Sequence, residues 1–175
     1  MAAAATLRAS MDRPLLLLDI DGVISLFGFD RADPPPGCFP ALVEGVPHFL
    51  SRDAAQRVIR LSDRFDCVWC SGWEDRADMN LPHLLGLPSG WPHIEFGQGA
   101  ARQGQHWKLD AIDAYAGPTR AIAWIDDRHD ERCSDWLAGR NGPGLLVATD
   151  PRTGLLDEHV TQLEAWAAGL AQPAG

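Results

Sequence analysis

The sequence lacks an apolar run long enough to cross a membrane, which takes about 18 or more residues. Its first residues, MAAAATLRASMDRP, also lack the apolar segment of a secretory signal peptide. Hydrophobic residues nevertheless make up 46% of the chain, an ordinary share for a globular protein. We therefore expect a cytoplasmic protein that has no membrane partner.

Basic residues are in the minority. Lysine and arginine total 15 against 24 acidic residues, and the formal net charge is −9. A protein that holds nucleic acid mainly by charge needs a basic face to neutralise phosphates. The charge balance therefore does not favour a nucleic-acid partner, although it leaves room for a local basic pocket.

Cysteines are few, and the four present do not form a recognisable metal site. Cys67 and Cys70 form a CxxC within the apolar run CVWC, which is typical of a strand. Residues three apart on a strand point to opposite faces, and no second CxxC or suitably spaced histidine pair completes a zinc site. We expect free thiols in a reducing compartment.

Four short apolar runs recur along the chain, and none alternates polar with apolar residues. They are LLLL (15–18), CVWC (67–70), AIAWI (121–125) and GLLVA (144–148), and HIEF (93–96) is a weaker fifth. Continuous apolar runs of this length are typical of strands that are buried on both faces of a parallel sheet.

Amphipathic segments follow these runs and predict helices over 52–64, 74–86, 108–116, 129–139 and 158–170. Ser51 is suited to cap the first of them, whereas Pro82 would break the second or start a new turn. Strands that alternate with helices predict a doubly wound, Rossmann-like α/β domain with a parallel sheet of about five strands. We place this single domain at residues 13–175, after a loose tail at 1–12.

Residues 28–50 do not fit the alternation. They begin as a loop with three prolines and continue as two extended pieces around Glu44-Gly45, consistent with a hairpin. We expect a short flap here and no cap domain. Residues 97–105 predict a second loop, whose glycines lack the strand–turn–helix context of a dinucleotide site.

Chemistry-bearing residues follow three of the four strong runs. Asp19 and Asp21 follow the first, Ser71 the second, and Asp126-Asp127 the third. In an open parallel sheet these ends share one edge, where ligands bind. Two like charges about 4 Å apart repel by about 4 kcal/mol at an effective dielectric near 20. The carboxylates would therefore need counter-charge, for which Mg²⁺ and the side chain of Lys108 are the candidates.

The order DIDGV, then Ser-Gly, then Lys, then Asp-Asp resembles the haloacid dehalogenase-like (HAD) hydrolase superfamily. The resemblance covers about residues 14–170. The segments SGW, WIDD and ATDPRTGLLDEHVTQLEAWA are similar to a group of small bacterial HAD proteins, some of which occur as domains of RNA-repair proteins.

The resemblance implies a role for each matching residue. Asp19 would attack phosphorus and become a phosphoaspartate, and Asp21 would protonate the leaving group and then activate water. Lys108 would hold Asp19 and neutralise developing charge. An aspartate at position 21 is typical of phosphatases and phosphotransferases, so we discount halide removal.

The remaining implied roles concern binding. Ser71, the Gly72 amide and Lys108 would bind the substrate phosphate, and Ser71 also counts among the catalytic residues. The implied Mg²⁺ ligands are Asp19, Asp21 through its main-chain carbonyl, Asp126 and Asp127.

The function expected from this set is a Mg²⁺-dependent phosphatase that acts on a phosphorylated small molecule or macromolecular end. Two alternatives stay open, namely a nucleic-acid end-processing phosphatase and a non-catalytic module that binds a phospho-ligand. Trp73, Trp91 and Trp107 would either stack on a base or sugar or cover apolar edges of the sheet. Arg128 and Asp130 would either touch the site or serve the entry of the next helix.

Overall fold

A computed structural model describes residues 13–97 and 106–171 of the 175-residue chain. The predicted tail at 1–12 and most of the predicted loop at 97–105 lie outside the described residues. No helix within the described ranges is long and apolar enough to span a membrane.

The core of the fold is a four-stranded parallel sheet. Its strands are β1 (Leu15–Leu18), β5 (Asp66–Trp69), β6 (Ile122–Asp126) and β7 (Gly144–Ala148), arranged in the order β5-β1-β6-β7. Leu18 pairs with Trp69 on one side and with Ile125 on the other. The carboxyl ends of β1, β5 and β6 are therefore level with one another at one edge.

The apolar runs form this sheet because both of its faces are covered. Leu16 and Leu18 of β1 pack in one buried cluster, whereas Leu15 and Leu17 pack in a second cluster on the opposite face. Each of these four leucines is at most 2% exposed. The weaker run HIEF adds only a single parallel bridge, from His93 to Trp69, at the outer side of β5. The predicted Rossmann-like α/β fold is confirmed, with four complete strands and this bridge.

Five helices of the described residues flank the sheet. They are α1 (Arg52–Ser62), α2 (Asp75–Leu85), α3 (Leu109–Ala116), α4 (Glu131–Ala138) and α5 (Asp157–Leu170). Ser51 caps α1, as predicted, by accepting a hydrogen bond from the amide of Ala54 at 3.1 Å. Helix α2 continues through Pro82, because burial of Ala77, Leu81 and Leu85 against the core outweighs the local penalty.

The segment that departs from the alternation forms a small antiparallel sheet. Its strands are β2 (Ser25–Leu26), β3 (Cys38–Val43) and β4 (Val46–Ser51), in the order β2-β4-β3. The predicted hairpin is confirmed, since Val43 pairs with Val46 around the Glu44-Gly45 turn. Because β2 begins a few residues after β1, this sheet lies beside the edge at which β1 ends.

The four cysteines are free thiols, as expected. Cys67 and Cys70 lie in the two different buried clusters, so the strand does place them on opposite faces. Burial raises the pKa of the Cys67 thiol to about 12, which makes it a poor nucleophile and metal ligand. The CxxC is therefore part of the core.

Candidate active site

The turn after β1 carries two of the predicted carboxylates. The carbonyl oxygen of Ile20 accepts hydrogen bonds from the amides of Val23, Ile24 and Ser25, which closes the chain tightly after Asp19. Gly22 has a φ of 78°, a left-handed conformation that favours glycine. Thr149, at the end of β7, donates from its hydroxyl to the carbonyl oxygen of Gly22 at 2.9 Å. The turn is thus fixed both by its own bonds and by a neighbouring strand.

Lys108 lies between two of the aspartates. Its Nζ is 2.6 Å from Oδ2 of Asp126 and 3.1 Å from Oδ2 of Asp19. All three residues are at most 7% exposed. Lys108 is also the single lysine among the 15 basic residues of the chain, the rest of which are arginines. A compact ammonium can contact two separate carboxylates here, where a planar guanidinium would present a wider fork.

The ionisation of this cluster is set by burial and by neighbouring charge. Burial raises the pKa of Asp19 to about 7, against the opposing effect of Lys108, and the charge of Asp126 adds to the rise. Burial alone would lower the pKa of Lys108, but the surrounding negative charges, chiefly Asp19, outweigh it and raise that pKa. The lysine is therefore positively charged at neutral pH, and its charge favours the ionised form of Asp19 against the effect of burial.

Asp127 completes a group of three carboxylates. Asp19, Asp126 and Asp127 each place one oxygen within 4.8 Å of the others. Burial, and next the charge of Asp126, raises the pKa of Asp127. A Cβ built on Gly22 would come within 2.5 Å of the Asp127 side chain, so the glycine makes room for this carboxylate.

This donor set fits a hard divalent cation, because all three ligands are carboxylate oxygens and one lysine cannot balance three negative charges. The Asp21 carboxylate is not a member of the group. Its predicted contribution to metal binding is the main-chain carbonyl, which stays a prediction.

A cavity of about 290 Å³ opens above the cluster. The residues predicted to act in catalysis, phosphate binding and metal binding all line it: Asp19, Asp21, Ser71, Gly72, Lys108, Asp126 and Asp127. Ser71 follows β5 and is 2% exposed. The individual roles of these side chains stay predictions, but the parallel sheet brings all of them to one edge.

Residues 15–160 match the family described as the HAD domain in Swiss Army Knife RNA repair proteins. This chain is a HAD domain of that family. A search of curated proteins finds no match.

Membership of the HAD family supports a hydrolase. It agrees with the resemblance inferred from DIDGV and the three later motifs, including the narrower resemblance to domains of RNA-repair proteins. The match extends across the antiparallel sheet as well as the four-stranded sheet.

Asp21 of this HAD domain has surroundings that sequence reasoning missed. Its side chain is 50% exposed, and its Oδ2 accepts a hydrogen bond from the indole Nε1–H of Trp73 at 3.0 Å. The Nδ1 atom of His48, on β4, is 3.9 Å from Oδ1 of Asp21 and 3.0 Å from the hydroxyl of Ser25. The rings of His48 and Trp73 are in contact, with centroids 4.7 Å apart.

Trp73 is therefore neither a stacking platform nor only a cover for the sheet, since it is 8% exposed and bonded to Asp21. The sequence did contain a signal for its position near the site, namely the motif SGW, in which Trp73 directly follows Ser71 and Gly72. His48 carried no such signal, because its position depends on the register of β4 against β2.

The other tryptophans predicted near the rim differ from Trp73. Trp107 is 37% exposed and lines the cavity, and its ring centroid is 5.3 Å from Nζ of Lys108. Trp91 packs against Trp69 of the core, with centroids 5.3 Å apart, and so covers an apolar edge.

The two residues left undecided after the Asp pair differ from each other. Arg128 donates its amide to Oδ1 of Asp126 at 2.9 Å, and it also lines the cavity, with Nε 3.9 Å from Oδ2 of Asp127 and a side chain that is 78% exposed. Asp130 caps α4 by accepting from the amide of Cys133 at 3.2 Å. Asp130 therefore favours the helix start and is not a member of the carboxylate group.

Proposed function

We propose that this chain is a Mg²⁺-dependent phosphomonoester phosphatase that acts through a phosphoaspartate at Asp19. The observation that carries the proposal is the buried contact of one lysine with both Asp19 and Asp126, beside Asp127 and under an open cavity. Such a set supplies a nucleophile, positive charge for the transferring group, and a place for a divalent cation.

In the first step, a carboxylate oxygen of Asp19 forms a bond to phosphorus while the bond from phosphorus to the leaving oxygen breaks. Asp21 gives its proton to that oxygen, so that an alcohol leaves. Asp21 is suited to this exchange because it is half exposed and lines the same cavity as Asp19. Trp73 holds one of its oxygens and leaves the other to carry the proton.

In the second step, Asp21 accepts a proton from water as the water oxygen bonds to phosphorus. The bond from phosphorus to Asp19 breaks, which releases inorganic phosphate and restores the carboxylate. Lys108 stabilises the negative charge on Asp19 when it departs, and Ser71 with the Gly72 amide would donate to phosphate oxygens.

The cation would be held by Asp19, Asp126 and Asp127. When bound, Mg²⁺ supplies positive charge that favours ionised Asp19 and offsets the charge on the phosphate oxygens.

The test is phosphate release from a panel of phosphomonoesters, with Mg²⁺ and with a chelator. We expect turnover that needs Mg²⁺ and that falls about 10⁴-fold or more in Asp19→Asn, because the attacking oxygen is lost. Mass spectrometry after an acid quench should find a phosphoryl group on the peptide that contains Asp19.

Asp66→Asn is the matched control. Asp66 starts β5 at the opposite end of the sheet and pairs with Arg120, so this variant should keep full turnover. Activity that survives Asp19→Asn would exclude Asp19 as the nucleophile. Tight binding of a phospho-ligand without turnover of any substrate would favour a binding module.

A second candidate is phosphate removal from RNA ends, which the occurrence of this family's HAD domain in RNA repair proteins favours. The net charge of −9 opposes it. A 3′- or 5′-phosphorylated oligonucleotide should then be hydrolysed faster than a mononucleotide, with an affinity that falls steeply with salt. Equal rates on both substrates, unchanged by salt, would count against this candidate.

A further inference from the structure

A second cavity, of about 230 Å³, is lined on one side by Asp21. Among its lining residues are Phe27 and Phe29 after β2, and His48 and Phe49 on β4. An apolar cavity of about 150 Å³ is enough to admit a benzene ring, and pockets for drug-sized ligands start near about 300 Å³. This cavity is therefore of a size for a single ring and its substituents.

The two cavities share two lining residues, Asp21 and Phe27. A general acid must lie within hydrogen-bond reach of the oxygen that it protonates. With phosphorus beside Asp19, the leaving oxygen is therefore at Asp21. The atoms attached to that oxygen extend away from Asp19, and the second cavity borders Asp21 and so is within reach of them.

Three phenylalanines form part of the walls of the second cavity, beside polar residues that include Arg31. Phe29 and Phe49 pack edge to face with centroids 5.3 Å apart, which holds both rings in place. Phe27 is 41% exposed, although it is a large apolar side chain at the boundary of the two cavities. The Nδ1 atom of His48 is already engaged by the hydroxyl of Ser25. A ligand in this cavity would therefore contact phenylalanine rings together with polar groups, among them the side chain of Arg31.

We propose that this cavity binds the leaving group of the substrate and favours a planar aromatic group over a small aliphatic one. The inference rests on the proposed phosphatase activity and adds a substrate class to it, namely phosphomonoesters of aromatic or aryl-bearing alcohols. The substrate spans both cavities, with its phosphate over Lys108 and its ring among the phenylalanines.

Two phosphonates test the cavity without any turnover. Benzylphosphonate has the shape of phenyl phosphate but no ester oxygen to cleave, and ethylphosphonate replaces the ring with a methyl group. We expect calorimetry with Mg²⁺ in the buffer to give a benzylphosphonate affinity about tenfold higher than that of ethylphosphonate, as for one stacked ring.

Phe27→Ala should reduce this affinity ratio by about tenfold, because it removes a ring at the boundary. Phe27→Leu, which keeps apolar volume without a ring, should give an intermediate ratio. Leu42→Ala is the matched control, since Leu42 lies on the same small sheet, is 71% exposed and is outside the cavity. It should keep the ratio of the parent chain. Melting curves of all variants check that they fold.

The inference is overturned if benzylphosphonate binds no more tightly than ethylphosphonate, or if folded Phe27→Ala keeps the ratio of the parent. If the chain shows the affinity ratio but hydrolyses no ester, the inference about the cavity holds and the proposed phosphatase activity is wrong. If it hydrolyses small and aryl esters at equal kcat/KM, with equal phosphonate affinities, the proposed phosphatase activity holds and the inference about the cavity is wrong.

Discussion

Asp19 and Asp21 are two residues apart in sequence, yet their surroundings are opposite. Asp19 is 7% exposed and contacts a buried lysine, whereas the Asp21 side chain is half exposed and accepts from the uncharged indole of Trp73. The first environment lies at the edge of the parallel sheet, whereas the second combines Trp73, after β5, with His48 of the small antiparallel sheet. One turn therefore separates the carboxylate that we propose attacks phosphorus from the one that we propose exchanges a proton.

This difference indicates which part of the proposed reaction each region serves. The parallel sheet concentrates charge, which is useful only when it is buried and fixed. The antiparallel sheet and the segment after β2 supply side chains that line the second cavity, and His48 of that sheet lies with Trp73 beside Asp21. Substitutions in the first region should therefore affect all substrates alike, and those in the second should depend on the leaving group.

The largest expected effect in the first region comes from Lys108→Met. Loss of the ammonium leaves Asp19 and Asp126 without their shared partner, and kcat should fall about 10³-fold on every substrate. Steady-state kinetics with aryl and alkyl phosphates measures this. The control is Arg60→Met, which removes an exposed ion pair with Glu164 and should leave kcat unchanged. A loss confined to alkyl phosphates would contradict the division proposed above.

Gly22→Ala should have the next largest effect, because it strains the turn that joins the two regions. Its Cβ would meet the Asp127 side chain at 2.5 Å, and its φ is left-handed. We expect a loss of about 2–3 kcal/mol in the free energy of unfolding. Gly45→Ala is the matched control, with a φ of 81° but no atom within 4 Å of its Cβ. It should cost only about 1–2 kcal/mol. Chemical denaturation measures both, and equal losses would show that the contact with Asp127 has no part.

A smaller effect is expected from Trp73→Phe, which keeps a ring but removes the N–H that donates a hydrogen bond to Asp21. We expect kcat to fall about tenfold on alkyl phosphates, whose leaving groups need a proton, and far less on 4-nitrophenyl phosphate. Trp136→Phe removes a similar bond, from indole to Asp113 at 2.9 Å, far from the cavities. This control should keep both rates. Equal losses on the two substrate types would show that Trp73 does not position Asp21.

The smallest effect should come from His48→Phe. This change keeps the aromatic contact with Trp73 and removes the ring nitrogen that is 3.9 Å from Asp21. Because that distance is longer than a hydrogen bond, we expect kcat on alkyl phosphates to fall only about threefold. A loss larger than that of Trp73→Phe would reverse the order of importance inferred for the two partners of Asp21.

Much of the candidate site could be predicted because several of its residues lie at the carboxyl ends of strands. The run LLLL predicts a strand with both faces covered, and Asp19 must then stand at its carboxyl end, level with the ends of its neighbours. The same reasoning placed Ser71 and Asp126. Lys108 was harder, since a lysine at a helix start is more often a solvated surface residue, and only the order of the motifs singled it out.

The partners of Asp21 could not be predicted in the same way. The sequence indicated a hairpin at 38–50, but not that its strand β4 would pair with β2 and direct His48 toward Asp21. Nor did any periodicity indicate that Phe27, Phe29 and Phe49 would enclose a cavity. Short strands joined by a loop with three prolines have no repeating pattern from which a register follows.

The amino-acid sequence alone specifies the parallel sheet and the chemistry at its edge, because continuous apolar runs require burial on both faces and hydrogen-bonded parallel strands bring their ends together. The identity of the side chains that surround each carboxylate follows only from the packing of distant segments. That outcome depends on the register of the antiparallel sheet and on close packing at single residues, such as the space that Gly22 leaves for Asp127. Local sequence does not contain these contacts, since residues as far apart as Gly22 and Thr149 make them.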